Sequence, residues 1–167
     1  MLQPVVRRTW APKGHTPIHK SWDRHDRVSV MTVLTLAPRR RRLNVYWKSQ
    51  TENIRGEHLV GFLRSIRRRL RRKWVLIWDR WNVHKSKVVR AYLERHRKFI
   101  HVEWLPAYAP ELNPAEQVWN HSKYSDLANF IPEDREDLHQ HVDGSLTDQR
   151  RQAHLLRSFF KTAELEL

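Results

Sequence analysis

Two carboxylates stand where the local sequence could bring them to one edge of a β-sheet. Asp79 directly follows the unbroken apolar run 74–78, and Glu116 follows the Asn113–Pro114 pair. Each acid has an ordinary structural interpretation, Asp79 as a turn residue and Glu116 as half of a helix capping box. The chemical interpretation is a divalent cation site, because Mg²⁺ prefers oxygen ligands and usually takes one or two carboxylates. It requires a fold that brings the two acids together.

The elements around Asp79 predict such a meeting. Residues 74–79 have the composition of a strand covered on both faces, and 100–104 alternate like a second strand. Between them, 86–98 have helical periodicity, with Ser86 as a suitable N-cap. A strand–helix–strand unit of this kind has a right-handed crossover and parallel strands. The carboxyl ends of both strands then share one edge, where open α/β folds place their ligand sites.

The segment 105–116 leads from the second strand to Glu116. Prolines at 106, 110 and 114 restrict its path, while Asn113 suits an N-cap and Pro114 the first helical position. The helix is expected to continue through Val118, Trp119 and Leu127. Since it would begin at the edge where Asp79 ends its strand, the convergence of two acids favours the metal site over two separate structural roles.

The remaining pattern predicts an α/β fold. Residues 27–36 and 43–48 indicate an antiparallel hairpin with Arg39 to Arg42 near its tip. Helical periodicity covers 53–72, and 133–163 is predicted to form one or two helices that pack on the sheet.

Charge is distributed unevenly along the chain. The net charge is +14, and residues 1–100 carry 26 basic and 6 acidic side chains, against 6 and 12 in residues 101–167. A basic half of this size suits a polyanion, because each neutralised phosphate releases condensed counterions. The chain has no cysteine, which excludes disulfides and thiolate metal sites. No run of about 18 apolar residues occurs, so no membrane span is expected.

Two stretches carry a resemblance to a known family. "VLIWDRWNVHKSKVVRAYLERH" followed by "WLPAYAPELNPAEQVWNHSKY" resembles the catalytic core of the DDE-type transposases, specifically the bacterial insertion-sequence branch of the mariner superfamily. "RRTWAPKGHTP" near the start resembles the same branch. The resemblance implies a ribonuclease-H-like mixed sheet flanked by helices. It places an endonuclease core at 1–131 and a helical extension, packed on the core, at 132–167.

By position, the resemblance makes Asp79 the second acid of the catalytic triad and Glu116 the third. It implies two Mg²⁺ or Mn²⁺ ions and a substrate contact from His84. The first acid of the family lies on a strand before the "RRTWAP" segment, so the chain is expected to lack that strand and to be inactive alone. Asp23 and Asp26 come after the segment and are not expected to replace it. Arg80 stands where many relatives have Asn.

The partner implied by the resemblance is DNA, both transposon ends and target. The intact transposase is expected to form a homo-oligomer. Its expected location is the bacterial cytoplasm, at the nucleoid. Basic residues near the predicted active edge or at the hairpin tip are candidates for phosphate contacts; with His84 they form the predicted DNA-binding set of Arg7, Arg8, Arg39, Arg40, Arg41, Arg42, Lys85 and Lys87.

Two other functions remain open at the level of sequence. One is a non-catalytic module that binds nucleic acid through the arginines at 39–42 and 64–72, with Trp47 and Trp81 available for stacking. The other is a regulator that disrupts assembly of a full-length transposase. Glu111 is a weaker candidate for a metal ligand than Glu116.

Overall fold

The computed structural model describes residues 5–15, 27–39 and 42–165, so Asp23, Asp26, Arg40 and Arg41 lie outside the described residues. The elements, in chain order, are β1 (Ser29–Leu36), β2 (Leu43–Gln50), α1 (Gly56–Leu70), β3 (Trp74–Trp78), α2 (Lys87–Arg95), β4 (Ile100–Trp104), α3 (Pro114–His121), α4 (Arg135–Arg151) and α5 (Ala153–Thr162).

The strands form two separate two-stranded sheets. β1 and β2 are an antiparallel hairpin, as predicted, with Ser29 opposite Gln50 and Leu36 opposite Leu43. β3 and β4 are parallel, with Trp74 opposite Ile100, which confirms the strand–helix–strand prediction. Within the described ranges no strand joins β1–β2 to β3–β4 by backbone hydrogen bonds.

The two faces of the hairpin belong to two hydrophobic cores. Met31 on one face packs with Leu63 and Ile66 of α1, Leu76 of β3 and Val89 of α2. The opposite face contributes to a second core with α3, α4 and α5; its buried members include Val28, Val45, Val118, Leu146 and Leu156. The hairpin thus links the helix pair α1–α2 to the three C-terminal helices.

The expectation that β3 is covered on both faces is wrong. Leu76 and Trp78 are buried, but Val75 and Ile77 are 55% and 61% exposed. The helices α1 and α2 cover one face of β3–β4, whereas the C-terminal helices pack against the hairpin. The same distribution shows that the helices predicted at 133–163 exist, as α4 and α5, and pack on the hairpin sheet.

Helix α3 does not continue regularly to Leu127. It ends at His121 and passes into a π-helical turn, Ser122–Asp126. No helix formed by the described residues has the combination of length and hydrophobicity that crossing a bilayer demands.

A buried polar cluster ties this turn to α4. The amide nitrogen of Gln149 donates to the hydroxyl oxygens of Ser122 and Ser145, at 2.8 and 3.1 Å. Ser145 in turn donates its one hydroxyl proton to Asp126 Oδ2 at 2.6 Å. In the 2.8 Å bond between the hydroxyls of Ser122 and Ser145, Ser122 is therefore the donor. Ser122 and Gln149 are almost fully buried. The cluster therefore fixes the end of α3 against α4, and with it the helix that carries Glu116.

Replacing Gln149 with Leu is expected to lower the free energy of unfolding by about 1–2 kcal/mol, because two buried hydroxyls lose a hydrogen-bond donor while the side-chain volume hardly changes. Removal of the Gln149 Oε1, which is buried without a partner among the described residues, offsets part of the loss. Chemical denaturation measures the loss. The matched control is Gln140→Leu on the exposed side of the same helix, which should change stability by less than about 0.5 kcal/mol. Equal effects of the two substitutions would show that the buried cluster contributes nothing specific.

Candidate active site

Asp79 is the first residue after β3, and its carboxylate organises the loop that follows. Its Oδ1 accepts a hydrogen bond from the backbone N–H of Trp81 at 2.9 Å. The same oxygen lies 3.0 Å from Nδ1 of His84. For Oδ2 the structure gives no partner among the described residues, so this oxygen is the one available to a cation or substrate.

His84 is held in place from two sides. Its ring stacks on the buried Trp78 indole, with centroids 4.2 Å apart and planes at 11°, and meets the edge of Trp81. Its Nδ1 donates to the backbone oxygen of Asp79 at 3.1 Å. Burial lowers the pKa of His84 below its ordinary value, although Asp79 opposes the shift. A neutral ring that donates from Nδ1 presents Nε2 as an acceptor.

Glu116 lies in the first turn of α3 and is not part of a capping box. Asn113 caps the helix by accepting from the Ala115 N–H at 3.1 Å. The Asn113 N–H, which a capping box would offer to Glu116, donates instead to the Pro110 carbonyl oxygen at 3.0 Å. The Glu116 carboxylate is therefore free of the local structural role that the sequence left open.

The electrostatics of Glu116 indicate that the two acids lie near each other. Burial raises the pKa of Glu116 above its ordinary value, and the negative charge of Asp79 raises it further. Two like charges held at one site destabilise each other unless a cation or a proton lies between them. The donor chemistry fits Mg²⁺ or Mn²⁺, which take carboxylate oxygens.

A third ligand does not join them in the described part of the chain. No group of three or more His, Asp or Glu side chains suited to a metal forms there. Glu111 is exposed in the short 3₁₀ turn Pro110–Leu112 before α3 and does not complete such a group. The site thus offers two carboxylates.

The loop and helix after Asp79 carry two of the predicted phosphate contacts. Lys85 and Lys87 are exposed, and Lys87 is the first residue of α2. Arg80 has a structural contact, because its Nε donates to the carbonyl oxygen of Leu105 at 3.3 Å and joins the ends of β3 and β4.

The other basic residues of the predicted DNA-binding set lie elsewhere. The guanidinium of Arg7 donates to the carbonyl oxygen of Tyr124 at 2.6 Å, and its backbone N–H donates to Asn129. Tyr124 lies roughly 12 Å along the helical segment from Glu116, at 1.5 Å per residue. Arg7 and the exposed Arg8 line an open cleft there of about 490 Å³. Arg39 and Arg42 are exposed beside the hairpin turn.

Of the two tryptophans proposed for base stacking, Trp81 is exposed but Trp47 is not available. Trp47 packs at the edge of the second core, and its indole N–H donates to Asp143 Oδ1 at 2.9 Å. The same carboxylate oxygen accepts from the Ser49 hydroxyl at 2.7 Å. Trp47 therefore anchors β2 to α4, which its position in an alternating strand did not reveal.

The stacking of His84 on Trp78 was also missed at the level of sequence. Trp78 was predicted to belong to a covered strand, and the family resemblance implied a substrate contact for His84. The two are six residues apart with an irregular loop between them, so the pattern did not predict that their rings meet. The signal that could have indicated it is the aspartate at position 79, whose side chain turns the loop back onto the end of the strand.

Comparison with known proteins identifies the family. A family profile described as "DDE superfamily endonuclease" matches residues 1–139 of the 167. No curated protein matches the chain.

Solved structures share the fold at low sequence identity. The Mos1 mariner paired end complex with Mn is 15% identical with a TM-score of 0.63, and the alignment covers 98% of this chain and 48% of that one. The Mos1 strand transfer complex is 17% identical with a TM-score of 0.58, covering 98% and 50%. The Mos1 transposase catalytic domain with Raltegravir and Mg is 16% identical with a TM-score of 0.56, covering 84% and 81%.

This chain therefore spans about half the length of the first two solved chains. The matches confirm the ribonuclease-H-like α/β fold, and the profile covers both Asp79 and Glu116. The chain belongs to the DDE superfamily endonucleases.

Proposed function

We propose that this chain is the catalytic part of a transposase that cleaves and joins DNA strands with a divalent metal. The proposal is carried by the effect of the Asp79 charge on Glu116, a half-buried carboxylate at the start of α3, in a member of an endonuclease family. The strongly basic composition supports DNA as the partner. The solved relatives include a paired end complex and a strand transfer complex, which supports transposon ends and target DNA as substrates here.

In this proposal Asp79, through Oδ2, and Glu116 hold Mg²⁺ or Mn²⁺. The metal, when bound, supplies a Lewis acid beside the scissile phosphate and lowers the pKa of a bound water. The chain's own residues position the donors: His84 and the Trp81 N–H fix Asp79 Oδ1, which leaves Oδ2 without a partner among the described residues. Lys85 and Lys87 contribute positive charge for the phosphates beside the site.

The Nε2 of His84 is proposed to accept a hydrogen bond from the DNA or from an ordered water, since Nδ1 is already committed to Asp79. The carboxylate pair supplies two of the three acids of the family pattern. We therefore propose weak binding of a metal ion by this chain, strengthened when a DNA phosphate completes the coordination. A homo-oligomeric assembly and a location at the bacterial nucleoid remain predictions from the family resemblance.

A second candidate is a non-catalytic DNA-binding module or a regulator of a full-length transposase. It is favoured by the combination of only two carboxylates in the described site with a large basic surface. The two candidates differ in one respect, because a binding module has no need of metal at Asp79.

Asp79→Asn and Glu116→Gln are each expected to weaken Mn²⁺ binding by at least about tenfold, because each removes the charge of one of two ligands. Loss of a side chain that only hydrogen-bonds a metal ligand already has an effect of about that size. Electron paramagnetic resonance of free Mn²⁺ during a titration measures the affinity. Glu111→Gln is the matched control, being an exposed glutamate two residues before Asn113, and should bind like wild type.

The same proteins should be assayed for Mn²⁺-dependent nicking of supercoiled plasmid. Nicking that disappears with Asp79→Asn or Glu116→Gln supports the endonuclease and overturns the expectation that the chain is inactive alone. Salt-sensitive DNA binding that is identical in all variants, with no Mn²⁺ binding by wild type, would contradict it and favour the binding module.

Glu116→Gln is expected to stabilise the metal-free protein at pH 7. The pKa of Glu116 is raised in the folded state. The contribution of this carboxyl group to stability is therefore fully present below its ordinary pKa and is lost as the pH rises through the raised pKa. Glutamine removes that loss. The melting temperature in EDTA should therefore exceed that of wild type at pH 7, and the difference should vanish near pH 4, around the unfolded-state value.

Excess Mn²⁺ should raise the melting temperature of wild type more than that of the variant, because only wild type retains both ligands. A variant less stable than wild type at pH 7 in EDTA would show that the Glu116 carboxylate is stabilised by its surroundings, contrary to the proposed site.

A further inference from the structure

The helices α1 and α2 both end at the edge of the β3–β4 sheet opposite Asp79. Trp74, the first residue of β3, donates its N–H to the carbonyl oxygen of Phe99 at 2.9 Å. The guanidinium of Arg67 lies 5.0 Å from the centre of the Phe99 ring. At the other end of α1, Gly56 approaches Ser86 so closely that a β-carbon would lie 2.5 Å from its hydroxyl oxygen. Helix α1 therefore runs from the active edge to the far edge.

Basic side chains are concentrated at that far edge. Six exposed residues from the end of α1, the end of α2 and the turns that follow them form what we call the distal basic surface: Arg68, Arg71, Arg72, Lys73, Arg95 and Lys98. Within the described ranges none of the six forms an ion pair with a carboxylate. The acid closest in sequence, Glu94, is already paired with Arg97 at 2.9 Å.

So much positive charge at one place destabilises the folded chain by repulsion unless an anionic partner offsets it. We propose that the distal basic surface binds the phosphodiester backbone of duplex DNA, at a position separate from the strand held at Asp79. The five residues of β3 separate the two edges by roughly 17 Å. A single phosphate cannot occupy both, so the surface holds a second stretch of backbone.

The chemistry of the surface favours a duplex over other polyanions. Arginine forks match phosphate oxygens, and backbone contacts of this kind carry no sequence preference. A single strand needs several aromatic platforms for its bases, whereas the turns at this edge offer Phe99, which is 44% exposed and has Arg67 over one ring face. A membrane surface needs a set of apolar anchors beside the charges; the six members supply none, and the neighbouring exposed Phe99 is a single anchor with Arg67 over its ring.

The hairpin extends this basic edge. The guanidinium of Arg69 lies 5.6 Å from the centre of the Tyr46 ring, in the first half of β2, so the end of α1 lies beside the start of that strand. Arg42 directly precedes β2 and is exposed. The inference goes beyond the proposed cleavage function and does not depend on it, because it requires neither metal nor either carboxylate.

The test is DNA binding by the whole chain in EDTA, measured by fluorescence anisotropy of a labelled 30-base-pair duplex of arbitrary sequence across a KCl series. The variant is Arg72→Gln/Lys73→Gln/Lys98→Gln. The control, Lys48→Gln/Arg151→Gln/Lys161→Gln, removes the same charge from exposed residues elsewhere. The slope of log affinity against log salt concentration should become shallower by about 2–3 units in the variant, because each lost phosphate contact removes roughly one unit. In the control the slope should change by less than about 1 unit.

Equal losses in the two triple variants would overturn the proposal, because net charge alone would then explain them. Anionic phosphatidylserine vesicles provide the alternative partner. If the distal variant lost vesicle binding while duplex binding matched the control, the surface would be assigned to membrane and the proposal would fail.

Arg71→Gly separates binding from folding. Arg71 has a φ of 51° at the C-terminal cap of α1, a conformation that glycine adopts more easily than arginine. The substitution should raise the melting temperature yet reduce the salt slope by about one unit. An unchanged slope in a stabilised variant would contradict a phosphate contact at this position.

Location can be mapped because the chain contains no cysteine. A single Lys98→Cys substitution carrying an iron–EDTA chelate should cleave the bound duplex locally in the presence of ascorbate and peroxide. The same chelate on Lys161→Cys, an exposed position of α5, should not. Equal cleavage from the two positions would show that no duplex is held at the far edge.

Discussion

The site depends on the charge of one carboxylate, Glu116, which its surroundings disfavour. Burial and then the charge of Asp79 raise the pKa of Glu116, so the metal-free chain holds ionised Glu116 at an energetic cost. A fold gains nothing from such an arrangement unless a cation relieves it, and Mg²⁺ or Mn²⁺ has the charge and the oxygen preference to do so. The proposed function follows from this one electrostatic constraint.

Several contacts hold the pair against its own repulsion. The parallel pairing of β3 and β4 places the loops after both strands at one edge, and Arg80 joins the strand ends through Leu105. On the Glu116 side, Asn113 fixes the start of α3, while the buried Gln149 cluster fixes its end against α4. The hairpin contributes to both cores. Rigid elements on each side therefore fix the positions of the two acids.

The sequence predicted the elements that local physics determines. Proline, asparagine and an apolar run are strong local signals, so β3, the start of α3 and the parallel unit were found. Prediction from the sequence failed where contacts between distant parts of the chain determine the local structure. The run 74–78 gives no indication that Val75 and Ile77 remain exposed, because covering that face depends on where distant helices pack. Likewise, the loss of regular helix at Ser122 depends on partners in α4, and Trp47 is committed by a carboxylate at position 143. The amount of basic charge could be counted from the sequence, but the pattern did not place the arginines of 64–72, the last of which lie at the far edge.

The central claim is that Asp79 and Glu116 share one cation. Anomalous diffraction from crystals of the chain soaked in Mn²⁺ tests it most directly, because the anomalous signal locates manganese independently of the protein atoms. The account predicts a manganese peak within about 2.0–2.4 Å of a carboxylate oxygen from each residue, the range of bonds from Mg²⁺- and Ca²⁺-like ions to oxygen. Manganese bound to Asp79 alone, with the Glu116 carboxylate directed elsewhere, would contradict it.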